Sequence, residues 1–92
     1  MIMPEDIIGI IGCGLIADTH VEAIREARPR AAIHVCDPLP GKAELLRAKY
    51  GLQGAYTSIA EMLEKARPFS VHILSPPHLH IEHARECLAH DS

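Results

Sequence analysis

The 92-residue sequence has no tryptophan, so ligand binding has to be followed through the ligand itself or through heat. It has no surplus of positive charge either. Nine lysines and arginines stand against twelve aspartates and glutamates, a net charge of −3. No basic face is available for a phosphodiester backbone, so nucleic acid is not an expected partner. Long apolar runs are missing: the longest, Ile7 to Cys13, falls far short of the roughly 20 residues that span a bilayer. A membrane partner is therefore not expected. The start, Met1-Ile2-Met3-Pro4-Glu5-Asp6, is acidic and lacks a basic n-region, which argues against a signal peptide. Three cysteines at irregular spacing make no disulfide framework, so a reducing cytoplasm is the expected compartment. Repeats, low-complexity tracts and linkers are absent too, and the length suits one domain with a thin core. What is present, 48% hydrophobic and 23% charged residues, is globular composition and argues against disorder.

The apolar pattern alternates between two periods. Ile7-Ile8-Gly9-Ile10-Ile11 is rich in branched residues and closed by Gly12, as in a strand buried on both faces. A helix is predicted from about Leu15 to Ala27, where Ile16, His20, Ala23, Ile24 and Ala27 recur at helical spacing and Pro29 stops it. Ala32 to Cys36 reads as a second strand, and Gly41 to Tyr50 as a helix capped by Gly51. Ala55-Tyr56 is a short third strand. Ser58 with Glu61 forms a capping box for a helix carrying Ile59, Met62, Leu63 and Ala66, ended by Pro68. Phe69 to Leu74 is a further strand, broken by Pro76-Pro77, and His80 to His90 is helical again. Four strand–helix alternations with short connections predict an α/β fold, a doubly wound parallel sheet of Rossmann-like βαβ units. Ligands of such sheets lie beyond the carboxyl ends of the strands, which here means 12–17, Asp37 and 75–80.

Three constellations fall at that edge. Gly12-Cys13-Gly14-Leu15-Ile16-Ala17 is a G-x-G-x-x-A between a strand and a helix. Gly12 permits a tight turn, Gly14 lets backbone approach a pyrophosphate, and Ala17 keeps helix and strand close. Free N–H groups at the helix start, around Leu15 and Ile16, would receive the diphosphate. A glycine turn that merely joins strand to helix satisfies the same pattern. Asp37 adds weight, ending the next strand 23 residues beyond Gly14. A carboxylate there accepts from ribose hydroxyls and repels a 2′-phosphate, favouring NAD over NADP; the other reading is that it opens a turn with Pro38. Ser75-Pro76-Pro77-His78-Leu79-His80 presents Ser75 at the same edge, or is a plain helix-start loop.

With these residues in hand, the chain resembles the N-terminal cofactor domain of the glucose–fructose oxidoreductase, inositol dehydrogenase and related (Gfo/Idh/MocA-type) oxidoreductases. The likeness runs from about Ile7 to Ala89 through Ile10 to Ala17 with His20, Cys36-Asp37, Tyr56 to Ile59 with Met62-Leu63, Val71 to Pro77, and His80 to Leu88. It implies that the glycine turn and Asp37 hold the ADP half of NAD. Ser75, Pro76, Pro77 and His80 would lie near the nicotinamide and its ribose. The family's aspartate before the Val-His-Ile strand is Ser70 here. Family members continue with another strand, a Glu-Lys-Pro motif whose lysine assists proton transfer, and a mixed α/β substrate domain. This sequence ends at His90-Asp91-Ser92, so residues 1–92 are expected to be an incomplete dinucleotide-binding domain. No residue is assigned a catalytic role, and the chain alone is expected to be inactive. Sugars and polyols are the substrates the resemblance implies.

Other readings stay open beside that one. The chain is alternatively a stand-alone dinucleotide-binding or interaction module without catalysis. Seven histidines invite a metal reading, with His80, His83, Cys87 and His90 on one helical stripe. Against it, Ile81, Ala84 and Leu88 form an adjoining apolar stripe expected to be buried, and His78 is expected outside the helix, so no metal ligands are assigned. His72 is expected to be a packed, hydrogen-bonded core residue. Cys13 is either a passive spacer or a thiol activated by the helix terminus. The missing strands predict self-association through an exposed sheet edge or helix faces.

Overall fold

A computed structural model describes residues 2–89. A short 3-10 turn, Pro4–Asp6, leads into β1 (Ile7–Ile11), followed by α1 (Ala17–Ala27), β2 (Ala32–Cys36) and α2 (Lys42–Tyr50). Then come β3 (Gly54–Tyr56), α3 (Ile59–Ala66), β4 (Ser70–Ile73) and α4 (Pro77–Ala89). The strands form one parallel sheet in the order β3-β2-β1-β4. The chain thus winds outward from β1 through β2 to β3, then crosses back to place β4 on the other side of β1. The doubly wound α/β expectation is met, with the reversal of strand order between β1 and β4.

Two cores follow from the alternation of side chains along the central strands. Ile8 and Ile10 of β1 join Ile33 and Val35 of β2 under α1 and α2, against Val21, Ile24, Ala43 and Leu46. Ile11 and Cys36 point to the opposite face, where Met62 and Ala66 of α3 cover them. Ile10, Ile11, Val35 and Cys36 have no exposed surface. Both faces of β1 are covered, which is why its sequence is apolar without alternation. Gly9 is the exception that admits α3: a Cβ there would lie 3.0 Å from the Met62 terminal methyl.

Several local expectations change in the folded chain. α1 begins at Ala17, leaving Leu15 and Ile16 in the preceding turn. Only one arm of the Ser58 capping box is made. The Ser58 hydroxyl accepts from the Glu61 amide at 3.3 Å, while the Glu61 carboxylate accepts from Lys65. β4 is shorter than Phe69–Leu74, and Phe69 is 72% exposed. α4 starts three residues before His80, because Pro77 occupies its first position, where a missing N–H costs nothing. His78 consequently lies inside the helix. Its apolar stripe faces outward: Ile81 and Leu88 are exposed, while Cys87 packs against the second core. His72 is half-buried rather than core. Its ring meets His20 edge-on at 5.7 Å, in a groove of about 610 Å³ between α1 and β4. Burial, and then the neighbouring His20, hold its pKa below the usual histidine value.

Candidate dinucleotide site

The register of the sheet brings three chain exits together. Ile11 stands beside Cys36 on one side and Ile73 on the other, so the segments that follow all leave one edge. Gly12 turns the chain out of β1 with φ +97, a conformation L side chains rarely adopt. Its amide donates to the Cys36 carbonyl at 2.8 Å. A Cβ on Gly12 would also stand 2.8 Å from the Ser75 nitrogen. The turn and the β4–α4 loop therefore pack backbone against backbone.

Gly14 is a different case. Its φ lies outside the left-handed region, and a Cβ added to it would meet no atom within 4 Å. Neither backbone conformation nor packing within the chain calls for glycine here. Open space lies over this position, immediately before α1, whose N-cap residue Ile16 supplies no side-chain hydrogen bond. Leu15 is 99% exposed and Ile16 is exposed as well. A helix start of this kind leaves amides and the positive end of the helix dipole for an anionic group. A group can therefore approach the Gly14 backbone without meeting protein atoms.

Asp37, at the end of β2, is buried and tied to the glycine turn. One carboxylate oxygen accepts from the Cys13 amide at 2.9 Å; the other accepts from the Leu39 amide at 2.9 Å. The second bond realises the Asp-Pro turn expected as an alternative, and the first links that turn to 12–14. Each oxygen keeps a further lone pair for a hydroxyl donor. Arg28 and Arg30, which precede β2, lie at the opposite end of the sheet. Arg28 donates to the Glu5 carbonyl at 2.7 Å, and Arg30 shares a recess with Asp6 and Arg28. Two lysines that sequence reasoning passed over, Lys42 and Lys49, instead line a groove of about 450 Å³ between α1 and α2 that reaches Cys13. Lys49 is paired with Asp18.

The Cys13 thiol is not activated. Burial, then the Asp37 charge, push its pKa up to about 12, with Lys42 only partly offsetting them. The environment at this helix start therefore acts opposite to the depressed pKa of a reactive thiol.

Ser75 is 6% exposed at the third exit, with exposed Pro76, Pro77 and His80 after it. Its hydroxyl pairs with His83 Nδ1 at 2.7 Å. His83 belongs to the site region, yet its link to Ser75 crosses eight residues and becomes visible only when α4 starts at Pro77. Among the described residues the metal stripe does not converge. His83 is engaged by Ser75, Cys87 by the core, and His90 lies outside the described residues. No group of three or more His, Cys, Asp or Glu is placed to hold a metal among the described residues. Nor, among them, is any helix long and apolar enough to cross a membrane.

A parallel sheet whose strand order reverses beside a glycine turn defines the class of dinucleotide-binding folds. Residues 7–92 match the profile of the Gfo/Idh/MocA family, described as an oxidoreductase family with an NAD-binding Rossmann fold. The chain belongs to this family. It is similar to the WlbA dehydrogenase from Bordetella pertussis, solved in complex with NADH and UDP-GlcNAcA. That match has a TM-score of 0.81 and 27% identity over 90% of this chain and 26% of that one. An NAD binding oxidoreductase from Klebsiella pneumoniae gives 0.79 and 32% identity over 91% of this chain and 24% of its own. Scyllo-inositol dehydrogenase from Lactobacillus casei, solved with NAD(H) and scyllo-inositol, shares the fold at TM-score 0.77 and 21% identity. There the match covers 91% of this chain and 25% of the dehydrogenase. The chain spans about a quarter of the length of these solved relatives. A search of curated protein sequences finds no match.

Proposed function

We propose that residues 1–92 are the cofactor-binding part of an NAD-dependent dehydrogenase that oxidises sugar- or polyol-like alcohols. The observation that carries this reading is the open space over Gly14, for which the chain itself has no use. Gly12 and Gly14, with the amides around Leu15 and Ile16, take the cofactor diphosphate. Asp37 accepts from the adenine-ribose hydroxyls, and its negative charge disfavours a 2′-phosphate, so NAD is preferred to NADP. Ser75, Pro76, Pro77 and His80 border the nicotinamide half. When bound, the nicotinamide ring supplies hydride transfer; the residues of this chain bind and orient it. The relatives' greater length supports placing the substrate contacts and the catalytic lysine in a continuation of the chain. The substrate class rests on the carbohydrate-like ligands of the WlbA and inositol dehydrogenase structures. The unpaired side of β4, with Phe69, Ile81 and Leu88 exposed, supports self-association of the isolated 92 residues. A strictly monomeric chain at all concentrations in sedimentation would contradict that part. The three unpaired thiols support a reducing, cytoplasmic setting.

Titration of NADH into the chain, followed by its own emission, tests the reading. Saturable binding that ADP-ribose displaces is expected. Absence of any saturation at millimolar NADH would overturn it.

A further inference from the structure

We propose that His83 is a positioning residue of this site, holding the Ser75 hydroxyl in one orientation for the nicotinamide half of the cofactor. The inference rests on the cofactor reading above and goes beyond it by adding a residue from the second turn of α4. Ser75 is buried at the carboxyl edge of the sheet, against the glycine turn that borders the diphosphate space. Ser75 lies one residue outside the N-cap position of α4, which Pro76 occupies. Here the hydroxyl passes over the first turn and pairs with a side chain eight residues on, at 2.7 Å.

That choice has a chemical consequence. A hydroxyl has one proton and two lone pairs, and its proton rotates freely unless a partner fixes it. With the His83 ring proton on Nε2, Nδ1 accepts the seryl proton. Ser75 Oγ is then committed as an acceptor for an amide or hydroxyl donor of the ligand. An acceptor fixed before binding saves the cost of ordering it afterwards. Pro76 and Pro77 restrict the backbone between the partners, and His83 sits on a regular helix, so both ends of the bond are held.

The test compares NADH with ADP-ribose, which lacks the nicotinamide. His83→Leu is expected to weaken NADH binding about five- to tenfold and to leave ADP-ribose unchanged. His83→Asn, whose amide can meet the hydroxyl at the Nδ1 position, is expected to restore NADH to within about twofold of the parent. In a Ser75→Ala background, His83→Leu is expected to add no further loss, since the two act as one unit. An unchanged NADH affinity in His83→Leu would overturn the inference. So would equal loss of both ligands with a lowered melting temperature, or an Asn variant no better than Leu. Parent protein that binds ADP-ribose and NADH equally well would sink the inference while leaving the cofactor reading standing. Parent protein that binds neither would sink the cofactor reading itself.

Discussion

Gly12 and Ser75 meet backbone to backbone, so closely that a methyl group on Gly12 would stand 2.8 Å from the Ser75 nitrogen. The turn after β1 and the loop after β4 are thereby one piece of structure. A change in either is felt by both, and the two halves of the proposed ligand share a rigid floor.

Gly12→Ala combines that clash with a φ of +97, and neither neighbour is a flexible side chain that can move aside. A destabilisation of roughly 2–4 kcal/mol is expected from strain and overpacking together. Chemical denaturation of the two proteins measures it. A variant within 0.5 kcal/mol of the parent, an estimate of ordinary surface scatter, would show that the loop yields.

Asp37→Ala removes the acceptor for the Cys13 and Leu39 amides, and each amide left unpaired costs about 1–3 kcal/mol. Stability alone therefore says little about the ribose. The ratio of affinities is the informative quantity. NAD is expected to weaken more than NADP, because the charge that repels a 2′-phosphate is lost along with the hydroxyl acceptor. An unchanged ratio in calorimetry would reject the ribose assignment.

The thiols give a pH prediction. Burial raises Cys13 and Cys36 from 9.0 to about 12. Thiolate at pH 8 is then on the order of a thousandfold scarcer than in a free cysteine, and thiol reagents should label the folded chain slowly and the unfolded chain fast. Between pH 9 and 12 the unfolded chain binds fewer protons than the folded one, so stability falls as pH rises. It is retained in full below 9. Melting temperatures from pH 7 to 11 check the slope, and Cys36→Ala should make it shallower, leaving the Cys13 part; a flat parent profile would contradict the burial argument.

The sequence was most legible where local chemistry and packing agree. β1 and β2 end where their branched apolar runs end, at Ile11 and Cys36, since both faces of each are covered. Gly51 takes the left-handed conformation that stops α2. α4 was harder to read because proline both breaks strands and opens helices, and Pro76-Pro77 does one after the other. Its apolar stripe is not a buried face: Ile81 and Leu88 face outward. Composition reports which residues seek burial, not whether a partner surface is at hand. The Ser75–His83 pair and the lysine-lined groove depend on how α4 and α2 dock, and no spacing rule carries that information.

Cofactor binding depends on the space over Gly14, and Gly14→Val tests this most directly. A Cβ at this position meets no atom within 4 Å, so the melting temperature should stay within about 2 °C of the parent, a shift of a few tenths of a kcal/mol. NADH binding should disappear. A folded Gly14→Val chain that binds NADH as the parent does would contradict the account.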